Sequence, residues 1–297
     1  EGKATYQGET LDGAEALERA GLKPVVLSSK EGLILLSGTT SVTAFASLAI
    51  YDAQTLSLTA DIAGSFTLEV LKGTLMAMDE RLMAVRPHPD QINTAANIRA
   101  ILKDSPILER YRGHRVQDAL SIRCMPQLHG PVKKAVKDAQ ATLAIELNSS
   151  VDNPLIFDEE DGGAVALMGC NADGTYAGMA SDNLCIAITD LCKMSNSRID
   201  RLLNSLVSEL PAFLNKNADF NNGLMMIQYA SAGLQGELRI LAHPAVVDNL
   251  TTCANQEDYV NMGYNAAKKA YDSMHLAKYI LAAELICDGQ ALDCYED

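Results

Sequence analysis

Apolar positions along the chain recur at intervals of three and four. Val132, Val136, Ala139, Leu143 and Leu147 follow spacings of four, three, four and four, which marks a helix with one buried face. Leu184, Ile188, Leu191, Ile199 and Leu202 repeat the pattern, and Ala270, Met274, Ala277, Leu281 and Leu285 repeat it again. No proline interrupts Val25–Arg86, and residues 40–82 are rich in Ala, Ser, Leu and Thr. Small side chains at that density let helix backbones approach closely. The stretch therefore predicts one long helix, broken at most once, with Gly64 as the possible break. "RPHPDQ" at 86–91 reads as a loop, because prolines two apart do not fit a helix interior, and a helix follows over about 91–103. "SVDNPLIF" reads as a turn into a short extended piece. Residues 1–30 read as an irregular lead-in with one short helix around "GAEALERAG", punctuated by Pro24 and glycines. No internal repeat or low-complexity linker divides the chain. The prediction is one all-α domain over residues 1–297, a bundle of long, mostly antiparallel helices.

Composition agrees. The chain has 297 residues, 48% hydrophobic and only 5% aromatic; an apolar content of Leu, Ala, Ile, Val and Met favours helix over sheet. The net charge of −14 argues against nucleic acid, because no basic surface is available to displace counterions. The longest uncharged stretch, Gly32 to Tyr51, is interrupted by seven Ser, Thr and Gly residues, too polar for a membrane span. No signal peptide is visible. Seven cysteines without a CxxC pair read as reduced, mostly buried thiols of a cytoplasmic protein, and no His/Cys cluster has the spacing of a metal site. The chain begins at Glu1 rather than Met, as a fragment or a processed piece would.

Three stretches could carry chemistry. In "VQDALSIRCMPQLHG" (116–130), Gln117, Asp118 and Arg123 lie within seven residues; an Arg fork clamps a carboxylate, and the structural alternative is an Arg123–Asp118 pair. In "LMGCNADG" (167–174), Asn171 and Asp173 lie between glycines, where backbone can approach a ligand, or they belong to a plain loop. In "TTCANQEDYVNMG" (251–263), Glu257 could bind a cationic or hydrogen-bonding ring or transfer a proton; the alternative is a helix N-terminus with acids placed for the dipole, which suits Asp258 better than Asn255 or Gln256. The five histidines, His88, His114, His129, His243 and His275, each read as structural. No P-loop, GxGxxG or Ser/His/Asp order is present.

Taken together and in order, "GLKPVVLSSKEGLILLSGTT", "RPHPDQ…ANIRAILKDS", "VQDALSIRCMPQLHG", "IELNSSVDNPLIF", "LPAFLN…NNGLMMIQY", "LAHPAVVD" and "ANQEDYVNMG" resemble the histidine and aromatic amino-acid ammonia-lyase family over nearly the whole chain. The resemblance implies elimination of ammonia from an amino acid to give an α,β-unsaturated acid. It implies an electrophile, methylidene-imidazolone (MIO), formed from an Ala-Ser-Gly triad. That triad does not occur in these 297 residues, so the resemblance implies an N-terminal part supplied by a separate chain or a cleaved precursor, and an oligomer of the family's tetrameric type. Carried over residue by residue, Arg123 matches the arginine for the substrate carboxylate and Gln117 the glutamine beside it. Asn171 matches the asparagine of the glycine-rich loop. Gln256 and Glu257 match the late Gln-Glu pair, whose glutamate faces the imidazole in histidine-specific members. Ser37 stands where Asn of Asn-Gly-Thr is usual, Leu120 where a tyrosine is usual, and Ala172 and Asp173 where an aromatic residue and a histidine are usual. Ala172 makes room and Asp173 could attract a cationic group, so a lyase releasing trimethylamine from a histidine betaine is one alternative. A non-catalytic scaffold or regulatory paralogue is the other. The Gly-Ser-Ser-x-Met-Pro loop of fumarase-like lyases is missing.

Overall fold

The computed structural model describes residues 2–217 and 220–295. Glu1, the start of the expected lead-in, lies outside them, as do Ala218, Asp219, Glu296 and Asp297. The chain divides into two compact units, Glu1–Gly38 and Thr39–Asp297.

The first unit is not the irregular lead-in expected. Strands β1 (Lys3–Tyr6) and β2 (Glu9–Asp12) pair antiparallel in the register Lys3↔Asp12 to Tyr6↔Glu9. Gln7 and Gly8 turn between them with φ of 49° and 87°, the two-residue turn whose twist matches a hairpin. Helix α1 (Gly13–Arg19) follows, close to the expected position, with Ala16 buried. A short α2 (Glu31–Ile34) precedes Ser37, whose N–H donates to the Leu33 carbonyl at 2.8 Å. Val25, Val26, Leu35 and Leu36 are exposed.

The second unit is the bundle. Helix α3 (Thr40–Val70) runs unbroken through Gly64. Gly64 is a notch, not a break: a Cβ there would collide with the Met125 sulfur and stand 3.4 Å from the Arg198 guanidinium carbon. The chain turns instead at Lys72, φ 54°, and Gly73. The short α4 (Glu80–Ala84) leads to α5 (Pro89–Ile101). The expected loop is shorter than 86–91, because Pro89 opens the helix, where its missing N–H costs nothing. Then come α6 (Pro106–Arg110), α7 (Leu120–Arg123) and α8 (Met125–Glu146). An exposed hairpin, β3 (Leu155–Asp158) with β4 (Ala164–Leu167), contains the extended piece expected at 155–157. Helices α9 (Thr175–Leu203), α10 (Ser205–Ser208), α11 (Met225–Leu241) and α12 (Gly263–Leu292) complete the chain.

The bundle of long helices is the architecture expected, and their sense is mixed. Two apolar clusters lie along it. The first holds Val42–Ala60 of α3, Val132–Leu143 of α8, Ala177–Cys192 of α9 and Ala267–Leu281 of α12. The second holds Leu68–Leu71, Ile98, Ile122, Met125, Ile199–Leu203, Cys287 and Ala291. Helices α3, α9 and α12 therefore all run from the first cluster to the second. Helices α8 and α11 return against them, since Met125 belongs to the second cluster and Leu238 to the first.

A buried polar layer separates the clusters. Glu284 accepts from Arg198 Nε, from Arg198 Nη2 at 2.9 Å, from Ser195 at 2.5 Å and from Thr67 at 2.9 Å. Thr67 also lies 2.8 Å from Asp288 Oδ1. Beside it, Asp61 faces His129 Nδ1 at 2.8 Å and accepts from Lys133 Nζ and from Asn97 at 2.8 Å. Arg198, Glu284, Asp61 and Lys133 are paired, as burial requires; Asp288 Oδ2 and His129 Nε2 have no hydrogen-bond partner among the described residues.

All seven cysteines are free; Cys185, Cys192 and Cys287 are buried, and Cys170 and Cys253 are exposed. Burial pushes the Cys185 thiol up to about 11. Among the described residues, no helix is long and apolar enough to cross a membrane.

Candidate active site

The candidate residues fall into two groups at different places along the bundle. The first is at the second cluster. Gln117 is exposed in the turn before α7. Asp118 is buried; its Oδ2 accepts the Thr74 N–H at 2.8 Å, while Oδ1 has no partner among the described residues. Burial raises the Asp118 carboxyl above its ordinary value, against the Thr74 hydrogen bond and the charges of Arg115 and Arg201. Leu120 opens α7 and is 62% exposed. Arg123 closes α7, half-buried, and its Nε is buried with no hydrogen-bond partner among the described residues. The Arg123–Asp118 pair offered as the structural alternative is not formed: Asp118 is committed to backbone and Arg123 keeps a free donor. A buried guanidinium N–H left unpaired costs about 1–3 kcal/mol, and a carboxylate accepts from it in fork geometry.

The second group is at the far end of α3. Asn171 is exposed and Ala172 half-buried in the loop before α9. Asp173 does not offer a free carboxylate, because its Oδ1 accepts the Thr175 N–H at 2.9 Å and its Oδ2 accepts from Asn261 Nδ2 at 2.8 Å. A Cβ at Gly174 would stand 3.3 Å from Val42, near the start of α3. The late loop lies against this one. Gln256 and Glu257 are exposed. They are not a helix N-terminus: α12 begins at Gly263, five residues beyond Asp258. The loop is closed on itself instead. The Thr252 N–H donates to the Glu257 carbonyl at 2.8 Å, and the Thr252 hydroxyl to Glu257 Oε2 at 3.2 Å. Asn249 donates to the Asp258 carbonyl at 3.1 Å and accepts the Val260 N–H at 2.8 Å. Cys253, Ala254 and Asn255 take φ of 52°, 53° and 70° in succession. Three left-handed residues without a glycine cost of order 1–3 kcal/mol each, and such strain collects at functional loops.

The separation is large. Met125, two residues after Arg123, packs on Gly64, whereas the Asn171 loop packs on Val42. The 22 helical residues between Val42 and Gly64 span about 33 Å at 1.5 Å per residue. Ser37 belongs to the first unit and is half-buried there. Asn249, Thr252 and Asn261, which shape the late loop, were not singled out by sequence. Their only signal was that polar residues cluster in a segment without helical periodicity.

A sequence profile described as "Aromatic amino acid lyase" matches residues 1–297; the chain belongs to that family. It is 46% identical over 296 residues to the histidine ammonia-lyase of Alkaliphilus metalliredigens, covering 100% of this chain and 58% of that protein. The chain thus spans less than two thirds of the relatives it matches. It superimposes on the histidine ammonia-lyase of Trypanosoma cruzi with a TM-score of 0.88 at 35% identity, over 97% of this chain and 54% of that one. It also superimposes on the ergothioneine-degrading ergothionase of Treponema denticola, in complex with desmethyl-ergothioneine sulfonic acid, with a TM-score of 0.89 at 25% identity, over 99% and 59%.

Proposed function

We propose that these residues form the larger part of a carbon–nitrogen lyase that removes ammonia from histidine or a related polar or aromatic amino acid. The observation that carries the reading is the buried, unpartnered Nε of Arg123, a donor that fits a substrate carboxylate. In the elimination the α C–N bond and a β C–H bond break, a C=C bond forms, and ammonia and a proton leave. Arg123, aided by Gln117, fixes the carboxylate; Asn171 positions the reacting end; Glu257, with Gln256, faces the ring. The MIO group activates the amine as a leaving group when present, and its Ala-Ser-Gly source lies outside these 297 residues, on a companion chain or another segment of the protein.

The site closes between copies of the protein, in an oligomer of the tetrameric type. Two observations support this. Arg123 and the Asn171 and Glu257 loops sit toward opposite ends of α3, so they meet only across an interface. Large apolar side chains such as Val26, Leu36 and Val116 are exposed, as at surfaces that another chain covers. The betaine reading has a relative in the ergothionase likeness, but its motivating carboxylate, Asp173, is already engaged twice.

The test takes the active preparation, measures intact masses under denaturing conditions and follows formation of the conjugated acid by ultraviolet absorbance. The expected result is histidine turnover by an assembly that includes a polypeptide with Ala-Ser-Gly, lighter than its sequence by two waters. Turnover of betaines but not histidine would favour the betaine reading. No turnover in any assembly would favour the scaffold reading, which Leu120 in place of a tyrosine motivates.

A further inference from the structure

The hydrogen bond between Asp173 and Asn261 joins positions 88 residues apart, and each partner also holds the start of a long helix. Asp173 Oδ1 accepts the N–H of Thr175, the first residue of α9. Asn261 Oδ1 accepts the N–H of Gly263, the first residue of α12, at 3.0 Å. The helix starts themselves touch: a Cβ on Gly263 would stand 2.7 Å from the Gly174 carbonyl oxygen, and one on Gly178 would stand 2.8 Å from the Gly263 Cα. One carboxylate and one amide thus fix four things at once, two helix starts and the two loops that lead into them. The loop before α9 carries Asn171 and Ala172; the loop before α12 carries Gln256 and Glu257.

We propose that Asp173 is a positioning residue and not a substrate ligand: through Asn261 it holds the Asn171 loop and the Glu257 loop in one register, and that register sets how the substrate's side chain is bound. The proposal rests on the lyase reading for its kinetic consequence but not for the clamp itself. The chemistry of the pair is directional. A carboxylate at 173 only accepts, and the amide at 261 donates to it. Asp173→Asn sets two amide NH₂ groups face to face. Asn261→Asp sets two carboxylates face to face. The reciprocal pair, Asp173→Asn with Asn261→Asp, reverses the donor and restores every bond, since both new side chains still offer an oxygen to Thr175 and Gly263.

The experiment is a double-mutant cycle in the complete assembly with two readouts: hydrogen exchange of residues 249–260, and KM and kcat for histidine. Each single substitution is expected to speed exchange in 249–260 by about tenfold and to raise KM about tenfold with a smaller change in kcat, as loss of one charge-assisted hydrogen bond would. The reciprocal pair returns both toward the starting protein. Unchanged exchange in Asp173→Asn would overturn the clamp. Faster exchange with unchanged KM would overturn its positioning role. If exchange follows the cycle but the starting protein turns over neither histidine, another amino acid nor a betaine, the clamp stands and the lyase reading fails.

Discussion

The two groups of candidate residues toward either end of α3 are built in opposite ways. Around Arg123 the helices are short, the flanking core is closed, and the polar groups are left open: Arg123 Nε and Asp118 Oδ1 are buried without partners among the described residues. Around Glu257 the segment is loop, the side chains are exposed, and Thr252, Asn249 and the Asp173–Asn261 bond lace it together, with the Thr175 hydroxyl left buried and unpartnered among the described residues. One end presents a buried, unpartnered donor and acceptor. The other is an exposed loop held by its own hydrogen bonds. The proposed function needs both groups in one site, and their placement at opposite ends of α3 is why we propose that copies of the protein meet to form it.

Breaking the buried polar layer between the clusters has the largest expected effect. Arg198 and Glu284 are both wholly buried. Glu284→Ala leaves an uncompensated buried charge and should cost about 3–5 kcal/mol, read as a fall in the denaturant midpoint; a cost below about 1 kcal/mol would mean that the layer is not closed. Arg123→Ala should separate activity from folding. The expected outcome is a loss of kcat/KM of about 100-fold or more, from removing one partner of a desolvated charge pair, with stability unchanged or raised by up to about 1–3 kcal/mol as the unpaired buried donor is removed. A large stability loss would instead assign Arg123 to the fold. Gly64→Ala should cost about 1–3 kcal/mol by overpacking against Met125; no measurable cost would show that α3 and α8 are less closely packed there.

The smallest effects are pH slopes, and they have opposite signs. Burial depresses His129, with the Asp61 hydrogen bond opposing. The folded protein therefore binds its proton later than the unfolded chain, and stability is lost as pH falls from about 6.5 through the folded value. Asp288 is raised by burial and by the neighbouring Glu284 charge. Its contribution is full below about 3.8 and is lost as pH rises through the folded value. Unfolding curves of His129→Gln should flatten the first slope and those of Asp288→Asn the second; slopes unchanged in both variants would remove these groups from the account.

The helices were legible where apolar spacing was regular. Leu184, Ile188, Leu191, Ile199 and Leu202 are all buried, as their spacing implied. Spacing failed where polar groups are core. On α12 the predicted face ended at Leu285, which is half-buried, but the buried residues there are Glu284, Cys287 and Asp288, and nothing local says that Arg198, far away in sequence, pairs with Glu284. Gly64 misled because a packing notch and a helix break use the same residue. The hairpin at 3–12 was hidden because its strands are short and mostly exposed, so no alternation developed. Of the candidate site, the stretches were legible and the wiring was not: Asp173 reads as a free acid in sequence, and only its bond to Asn261 shows that it is spoken for.

The claim that two copies complete each site is tested most directly by complementation. Arg123→Ala and Glu257→Ala proteins, each inactive in its own complete assembly, would be co-expressed and histidine turnover measured in the mixed oligomers. Sites shared between copies predict recovered turnover, because an intact Arg123 of one copy meets an intact Glu257 of another. Mixed oligomers that form and stay inactive would contradict the account and return both residues to a single protomer's site.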